Sequence, residues 1–220
     1  MLTEFQAISI QQELRQRVIT VDDLPQPVQI IAGADVEYDK NSDQIAGAIV
    51  LLDATTKAVL DAATHVMAAP FPYVPGLFSF REMPPLLAAY HKLRLQPDVI
   101  ICDGQGQAHP RRFGLACHLG IELNIPTIGC GKTRLIGQFD NLASERGATA
   151  SLVDELTGEV LGLALRTQTG INPLFVSVGH RVSLETATRL VLSMSDAVRL
   201  PETTRQADKY AREALKGAVY

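Results

Sequence analysis

The chain has 220 residues, of which 46% are hydrophobic and 20% are charged, and its formal net charge is −4. This length and balance fit one globular domain with a full hydrophobic core, and the absence of an apolar run of roughly 18 residues excludes a membrane span. The negative charge argues mildly against a nucleic-acid-binding protein, although a local basic patch stays open. That patch would comprise Arg111, Arg112, Lys132, Arg134, His180 and Arg181.

The cysteines and the N-terminus indicate a compartment. Cys102, Cys117 and Cys130 are odd in number and form no CxxC pair, which disfavours zinc and a disulfide framework. The first residues carry no basic region followed by an apolar stretch, so we expect no signal peptide. We therefore expect a cytoplasmic protein with reduced thiols.

The first third of the chain predicts one helix and then three strands. Their expected ranges are 4–19, 28–36, 45–52 and 58–66. Residues 53–57 predict a hairpin turn between the last two strands. The segment 70–76 is predicted to be a loop, because its prolines cannot supply the donors of a regular ladder.

The rest of the chain alternates between helices and short strands. Helices are expected from the end of the proline-rich loop to about Leu95 and then at 113–123, 183–195 and 203–215. Strands are expected at 98–102, 125–130, 159–166 and 174–178, and 140–150 is predicted to be a loop.

This order predicts an α/β protein with a mixed central sheet flanked by helices. It resembles the ribonuclease H-like fold, in which the first and fourth strands are adjacent and parallel. That fold would place Asp35 beside Asp103. No linker divides the chain, so we treat residues 1–220 as one domain.

Three acidic residues lie in distinctive local motifs. Asp35 follows the apolar run 30–34, Glu82 closes the segment 72–82, and Asp103 ends the predicted strand 98–102. Mg²⁺ prefers oxygen ligands and keeps several waters, so two or three carboxylates suffice to hold it. Two such ions can activate a water and stabilise the leaving oxygen of a phosphodiester. The trio therefore predicts metal-dependent phosphoryl chemistry.

Two of these carboxylates have a competing interpretation. Asp35 is either a solvated strand residue or an inward-facing carboxylate that requires a metal or another cation. Ser79 and Glu82 match a capping box, and this local pattern favours capping for Glu82. Alternatively, Pro84 and Pro85 would make the helix begin near Met83, which would leave Glu82 free to reach a metal.

The segment after Asp103 is the most specific part of the sequence. Gly104 and Gly106 let the backbone approach a ligand, and His109 follows in the same loop. Lys132 lies after a predicted strand in a Gly-Lys-Thr fragment, but Pro126 stands where a P-loop needs glycine. Lys132 is then either a phosphate contact or an exposed lysine. His180 is either a ligand or, more commonly, a buried hydrogen-bonded histidine.

Several ordered blocks resemble bacterial endonuclease V, the deoxyinosine-specific repair nuclease. The blocks cover nearly the whole chain, at 31–36, 72–82, 97–106, 109–114, 125–129, 172–183 and 199–208. Two positions depart from the family pattern, since Gln105 stands where histidine is expected and Thr203 where proline is expected.

The resemblance implies roles for individual residues. Asp35, Glu82 and Asp103 would bind the metal, while His109 and Lys132 would lie near the scissile phosphate. The segment Pro72, Tyr73, Val74 and Pro75 would be the wedge that enters the duplex. Gly76 and Gly104 would line the region that receives the flipped base. Asp208 corresponds more weakly to another polar residue near the site.

The implied reaction is hydrolysis of the second phosphodiester bond on the 3′ side of deoxyinosine, with the lesion left in the DNA. The implied cofactor is Mg²⁺, which Mn²⁺ can replace, and the implied partner is DNA that contains deoxyinosine, with no membrane partner. We expect a monomer. Two rivals stay open, namely a nuclease of the same fold that prefers inosine in RNA and a non-cleaving binding protein. The intact acidic trio argues against the second.

Overall fold

One eight-stranded sheet organises the protein in the computed structural model, which describes residues 2–217. The strands are β1 (Ile30–Tyr38), β2 (Gln44–Asp53), β3 (Val59–Ala68), β4 (Val99–Cys102), β5 (Thr127–Gly131), β6 (Thr149–Val153), β7 (Val160–Leu165) and β8 (Leu174–His180). Their order across the sheet is β3-β2-β1-β4-β5-β8-β7-β6.

The centre of the sheet is parallel and its two sides are antiparallel. β1 pairs with β4, and β4 with β5, in the parallel sense, whereas all other neighbours are antiparallel. The last ladder pair between β1 and β4 joins Ala34 to Cys102. The Asp103 amide then donates to the Ala34 carbonyl at 2.9 Å. The predicted ribonuclease H-like arrangement is therefore confirmed, and Asp35 on β1 lies at the same level as Asp103, which directly follows β4.

Helices cover both faces of the sheet. They are α1 (Glu4–Leu14), α2 (Phe78–Tyr90), α3 (Leu115–Leu123), α4 (Leu184–Ser193) and α5 (Glu202–Gly217). Successive strand residues point to opposite faces, so Ile31 joins a core with α4 and α5, while Ala32 joins a core with α2 and α3. Among the described residues, none of the helices combines the length and apolar character that crossing a membrane requires.

The structure corrects three sequence predictions. The first helix ends at Leu14 and continues only as a short 3₁₀ turn, and α2 ends at Tyr90 rather than near Leu95. β6 begins inside the predicted loop 140–150. Most of its residues are exposed or half-buried because it lies at the edge of the sheet, so its sequence lacks the apolar pattern of a strand.

A glycine sets the distance between β1 and α5. A Cβ added to Gly33 would lie 2.0 Å from the carbonyl oxygen of Thr203, so the helix can pack here only against a residue without a side chain. Within the described chain, the buried Thr203 hydroxyl has no hydrogen-bond partner. A proline, the family residue expected at this first-turn position, would lack that hydroxyl and suit a helix start.

Candidate active site

A cavity of 490 Å³ opens to solvent at the carboxyl ends of β1, β4 and β5. Ligands bind at this end of the strands in many α/β sheets. The cavity is lined by all five predicted catalytic residues, which are Asp35, Glu82, Asp103, His109 and Lys132. The sequence-predicted catalytic set is thus brought together by elements far apart in the chain.

Asp35 and Asp103 form the centre of the acidic site. Asp35 is only 9% exposed, and its Oδ1 accepts the Val36 amide at 2.8 Å. Burial, followed by the charge of Asp103, raises the pKa of Asp35 well above the ordinary carboxyl range. The interpretation of Asp35 as a solvated strand residue is therefore wrong. Asp35 is the inward-facing carboxylate that requires a cation.

Lys132 already provides one positive charge in the site. It follows β5, and its Nζ forms an ion pair with Asp103 Oδ2. Burial lowers the pKa of Lys132, but the attraction of Asp103 outweighs burial and leaves the pKa raised. Lys132 is therefore positively charged at the strand end, in reach of an anionic ligand in the cavity.

Glu82 enters the site from within α2. The helix begins at Phe78, after an N-cap at Leu77 that makes no side-chain cap bond, and it continues through Pro84 and Pro85. Ser79 Oγ instead pairs with His118 Nδ1 at 3.0 Å, in the buried layer behind the cavity. Both sequence interpretations of Glu82, as a cap and as a residue before the helix, are wrong.

The Glu82 carboxylate is bound to a tyrosine. Tyr38 Oη donates to Glu82 Oε1 at 2.6 Å. Burial raises the pKa of Glu82 to about 7; the Tyr38 bond opposes this rise and the charge of Asp103 adds to it. Asp103 thus raises the proton affinity of both of the other carboxylates.

The donor set fits a hard divalent cation, although it is not assembled as a finished cage. Across residues 2–217, no three His, Cys, Asp or Glu side chains converge in a ready-made metal-binding group. Asp35 and Asp103 lie together, while Glu82 is turned to Tyr38. A cation between these carboxylates would offset the burial and repulsion that raise their pKa values.

The buried carboxylates predict how stability depends on pH without metal. A carboxyl with a raised folded-state pKa destabilises the fold as pH rises from its unfolded pKa through its folded pKa. In EDTA, Asp35→Asn should therefore be more stable than the wild type at neutral pH, and the difference should vanish below about pH 4. Urea unfolding at several pH values would measure it.

The quantity to compare at each pH is the difference in the free energy of unfolding between the variant and the wild type. His109 and His118 are buried with pKa values lowered to about 4, so they contribute a stability loss on acidification that has the opposite sign. The exposed Glu122→Gln on α3 serves as the charge control. A constant Asp35→Asn difference between acid and neutral pH would contradict the buried-carboxylate assignment.

His109 anchors the loop beside the site. Its Nε2 pairs with the Gly76 carbonyl at 3.0 Å, while Nδ1 accepts the Arg111 amide at 3.2 Å. Burial, with a further contribution from Arg111, lowers the pKa of His109 to about 4, so the ring is neutral near pH 7. Its position near the scissile phosphate stays a prediction.

The 72–76 loop is exposed at its tip and fixed at its base. Pro72, Tyr73 and Pro75 are exposed, and Tyr73 retains 66% of its accessible surface. Val74 is half-buried and packs with an apolar cluster that includes Phe71, Leu77 and Phe80.

Two glycines adjoin this loop and the acidic site. Gly76 has φ 79°, and an added Cβ would lie 2.8 Å from Arg111 Nη2. Gly104 lines the same cavity, and a Cβ there would be in ordinary contact with Leu115 at 3.6 Å. Both positions therefore need glycine for their backbone, because φ is positive at Gly76 and is 155° at Gly104.

The expected basic patch is wrong for four of its six members. Arg111 is bound to Gly76, and Arg112 is paired with Asp154 at 2.6 Å and with Glu159 at 2.7 Å. The remaining two of these four lie at the opposite end of the sheet. His180 is the last residue of β8, where it is buried and accepts the Ile19 amide, and Arg181 follows it. Only Lys132 and Arg134 line the cavity.

Sequence reasoning missed Tyr38 altogether. It lies three residues after Asp35 on β1, and the period-two alternation of a strand gives no reason to link the two side chains. Gln105, one of the departures from the family pattern, lines the cavity and donates through Nε2 to the Thr133 carbonyl at 3.0 Å. Asp208 also lines the cavity, and it pairs with Arg212 one turn later on α5.

The fold and the carboxylate cluster define a ribonuclease H-like nuclease. The sequence model of endonuclease V matches residues 12–209. Endonuclease V of Trichormus variabilis is 47% identical over 210 residues, which cover 96% of this chain and 94% of the relative. The chain belongs to the endonuclease V family.

Solved structures agree with this assignment. Endonuclease V from Streptomyces avermitilis has a TM-score of 0.95 and 46% identity, with 100% of this chain and 96% of that chain covered. Ciona intestinalis endonuclease V was solved with a 24mer DNA that contains an inosine followed by a ribo-adenosine. It has a TM-score of 0.84 and 30% identity, and the match covers 96% of each chain.

Proposed function

We propose that this protein is a divalent-metal-dependent endonuclease that recognises deoxyinosine in DNA. It hydrolyses the second phosphodiester bond 3′ to the lesion and leaves the lesion in place. The observation that carries this proposal is the buried Asp35–Asp103 pair, with Lys132, in a cavity beside an exposed aromatic loop. The inosine-containing DNA bound by the Ciona relative supports the choice of substrate.

The chain's own residues divide the chemical work. Asp35, Asp103 and Glu82 would hold Mg²⁺ or Mn²⁺, which supplies activation of water and stabilisation of phosphate charge when bound. Lys132 is charged and lies beside Asp103, so it attracts the phosphate and offsets charge on the leaving 3′ oxygen. Neutral His109 holds the Gly76 carbonyl and so orients the loop next to the phosphate.

The loop and the cavity would select the lesion. Extruding a base costs a few kcal/mol, and less when the base is mispaired, as hypoxanthine is opposite thymine. Tyr73 would fill the gap in the stack, and the cavity beside Gly76 and Gly104 would receive the purine. Limited space for the extra amino group of guanine would then exclude undamaged DNA.

An RNA substrate is a second candidate on a specific observation. The DNA in the Ciona complex carries a ribo-adenosine directly after the inosine. Matched DNA and RNA strands with one inosine, cut under the same conditions, separate the two substrates by their relative rates. A non-cleaving binding protein is disfavoured because all three carboxylates face the cavity.

The cut position and metal dependence test the proposal directly. A labelled duplex with one deoxyinosine should be cut at the second 3′ phosphodiester in Mg²⁺ or Mn²⁺. Ca²⁺ should permit binding but support little hydrolysis, because its larger and looser coordination misplaces the attacking water. Undiminished cleavage in excess EDTA, or equal cleavage of an undamaged duplex, would contradict the proposal.

We further propose that the protein acts as a cytoplasmic monomer made of one domain. The three cysteines, Cys102, Cys117 and Cys130, are free and buried, which suits a reducing compartment. Sedimentation with and without inosine-containing duplex would test the monomer.

A further inference from the structure

We propose that Tyr38 is a positioning residue that couples the 72–76 loop to Glu82: it holds this carboxylate apart from the Asp35–Asp103 pair until the loop enters DNA. The inference rests on the proposed function and extends it to a residue outside the acidic trio. Three contacts of Tyr38 carry the argument.

The first contact is the hydrogen bond that holds Glu82 on Tyr38. Tyr38 Oη donates to Glu82 Oε1 at 2.6 Å, which is a short bond to an acidic group. Across residues 2–217 the three carboxylates do not form a compact metal-binding group, although all three line one cavity. Glu82 must therefore turn or move towards the other two if it is to join them on one ion, and its bond to Tyr38 opposes that movement.

The second contact joins Tyr38 to the loop. The Tyr73 ring meets the Tyr38 ring edge-on, with 6.1 Å between ring centroids. Tyr73 also packs on Phe78, with 4.5 Å between the centroids of those two rings. A Tyr73 ring that enters the base stack has to leave both partners. The surface of Tyr38 that faces the loop then loses its packing, so the bound position of the loop and the position of Tyr38 depend on each other.

The third contact fixes Tyr38 from another side. The Arg81 guanidinium lies 5.3 Å from the Tyr38 ring centroid, and Arg81 Nη1 donates to the Phe71 carbonyl at 2.6 Å. Arg81 and Glu82 are consecutive on α2, and Phe71 lies at the start of the loop. One tyrosine thus contacts the loop, the residue that anchors the loop, and the metal-facing carboxylate.

The consequence is a linkage between lesion binding and metal affinity. If loop insertion releases Glu82, an inosine duplex must tighten metal binding, and metal must tighten duplex binding by the same factor. Removing the Tyr38 hydroxyl removes the restraint and leaves Glu82 free at all times. The linkage should then disappear while the metal site itself stays intact.

Calorimetric titration of Ca²⁺ tests this linkage, since Ca²⁺ is expected to bind with little cleavage. The titrations are run near pH 8, above the Glu82 pKa of about 7, with and without saturating inosine duplex. Tyr38→Phe should bind Ca²⁺ roughly 10- to 150-fold more tightly than the wild type without DNA, the size expected for one hydrogen bond to a charged group. Adding the inosine duplex should tighten Ca²⁺ binding in the wild type but not in Tyr38→Phe.

A second variant keeps the test independent of how Tyr38→Phe folds. Glu82→Gln removes the carboxylate that the loop is proposed to release, so its own Ca²⁺ affinity without DNA is the baseline, and this affinity should not rise when duplex is added. Tyr90→Phe is the matched control for Tyr38→Phe. Tyr90 lies on α2, as Glu82 does, and this change also removes a hydroxyl that donates to a side chain. Its Ca²⁺ affinity, with and without duplex, should match the wild type.

The outcomes separate this inference from the proposed function. Unchanged or weaker Ca²⁺ binding by Tyr38→Phe, or a duplex that tightens Ca²⁺ binding by Glu82→Gln as much as in the wild type, would overturn the inference alone. The first result would mean that Tyr38 does not restrain Glu82, and the second that the linkage does not pass through Glu82. A wild type that neither binds divalent metal nor cuts an inosine duplex would overturn the proposed function and this inference with it.

Discussion

Replacing Asp35 or Asp103 with asparagine is expected to reduce cleavage of an inosine duplex on the order of 10³-fold or more while the protein stays folded. Each change removes a charged oxygen from the pair that leaves β1 and β4 side by side. The amide is nearly isosteric with the carboxylate, so the packing at the strand ends is kept. Single-turnover cleavage in Mg²⁺ measures the chemical step apart from product release.

The expected thermal behaviour distinguishes loss of chemistry from loss of fold. In EDTA, Asp35→Asn should melt at or above the wild-type temperature, because it relieves the burial and repulsion of a charged group. Glu122→Gln, which changes an exposed carboxylate, should cut normally. Near-normal Mg²⁺-dependent cleavage by either aspartate variant would remove that residue from the site.

Replacing Tyr73 with alanine is expected to lower the affinity for an inosine duplex roughly 5- to 150-fold, the range of one base–aromatic stack. The ring is 66% exposed at the tip of a loop stiffened by prolines, so little order is lost when it enters DNA. Its contacts with Tyr38 and Phe78 are made from the surface, so the melting temperature should change little.

A conservative variant and an altered duplex sharpen this test. Tyr73→Phe keeps the ring and should retain most of the affinity. A duplex with a flexible gap at the lesion should lose less affinity with Tyr73→Ala, because the stack is already open. If Tyr73→Ala bound normally and melted much earlier, Tyr73 would be a core residue and the wedge assignment wrong.

The centre of the site was predictable because the order of elements resembles the ribonuclease H-like fold. In that fold the first and fourth strands are parallel neighbours. In the ladder between β1 and β4, Asp35 and Asp103 directly follow the last pair, Ala34 and Cys102, so their proximity follows from register. Lys132 was predictable at the same edge because it comes directly after β5.

The route of Glu82 into the site was not predictable, because local rules conflicted with packing. Ser79 and Glu82 match a cap, and Pro84 and Pro85 disfavour a helix that begins earlier. The structure begins α2 at Phe78 regardless, since Leu86 and Ala89 are buried against the sheet. Tertiary burial outweighs the backbone donors that the two prolines lack.

The partners of Arg111 and Arg112 were not predictable from the sequence, for a different reason. A run such as Arg111-Arg112 shows charge but not the partners of that charge. Arg112 meets Asp154 and Glu159, which belong to the β6–β7 hairpin and lie more than forty positions away. Arg111 meets the backbone of Gly76. Ion pairs between distant segments leave no periodic signal in a sequence.

One carbonyl group ties the start of the chain to the root of the 72–76 loop. The Gly76 oxygen accepts from Gln11 on α1 at 3.1 Å, from Arg111 at 2.6 Å and from His109 at 3.0 Å. The root of the 72–76 loop is therefore clamped from two remote segments while its tip stays free. A protein shortened past Gln11 would keep its carboxylates on the central strands, yet its loop would lose one of three clamps. Such a truncation is expected to broaden the range of duplexes that are cut before it slows the cutting.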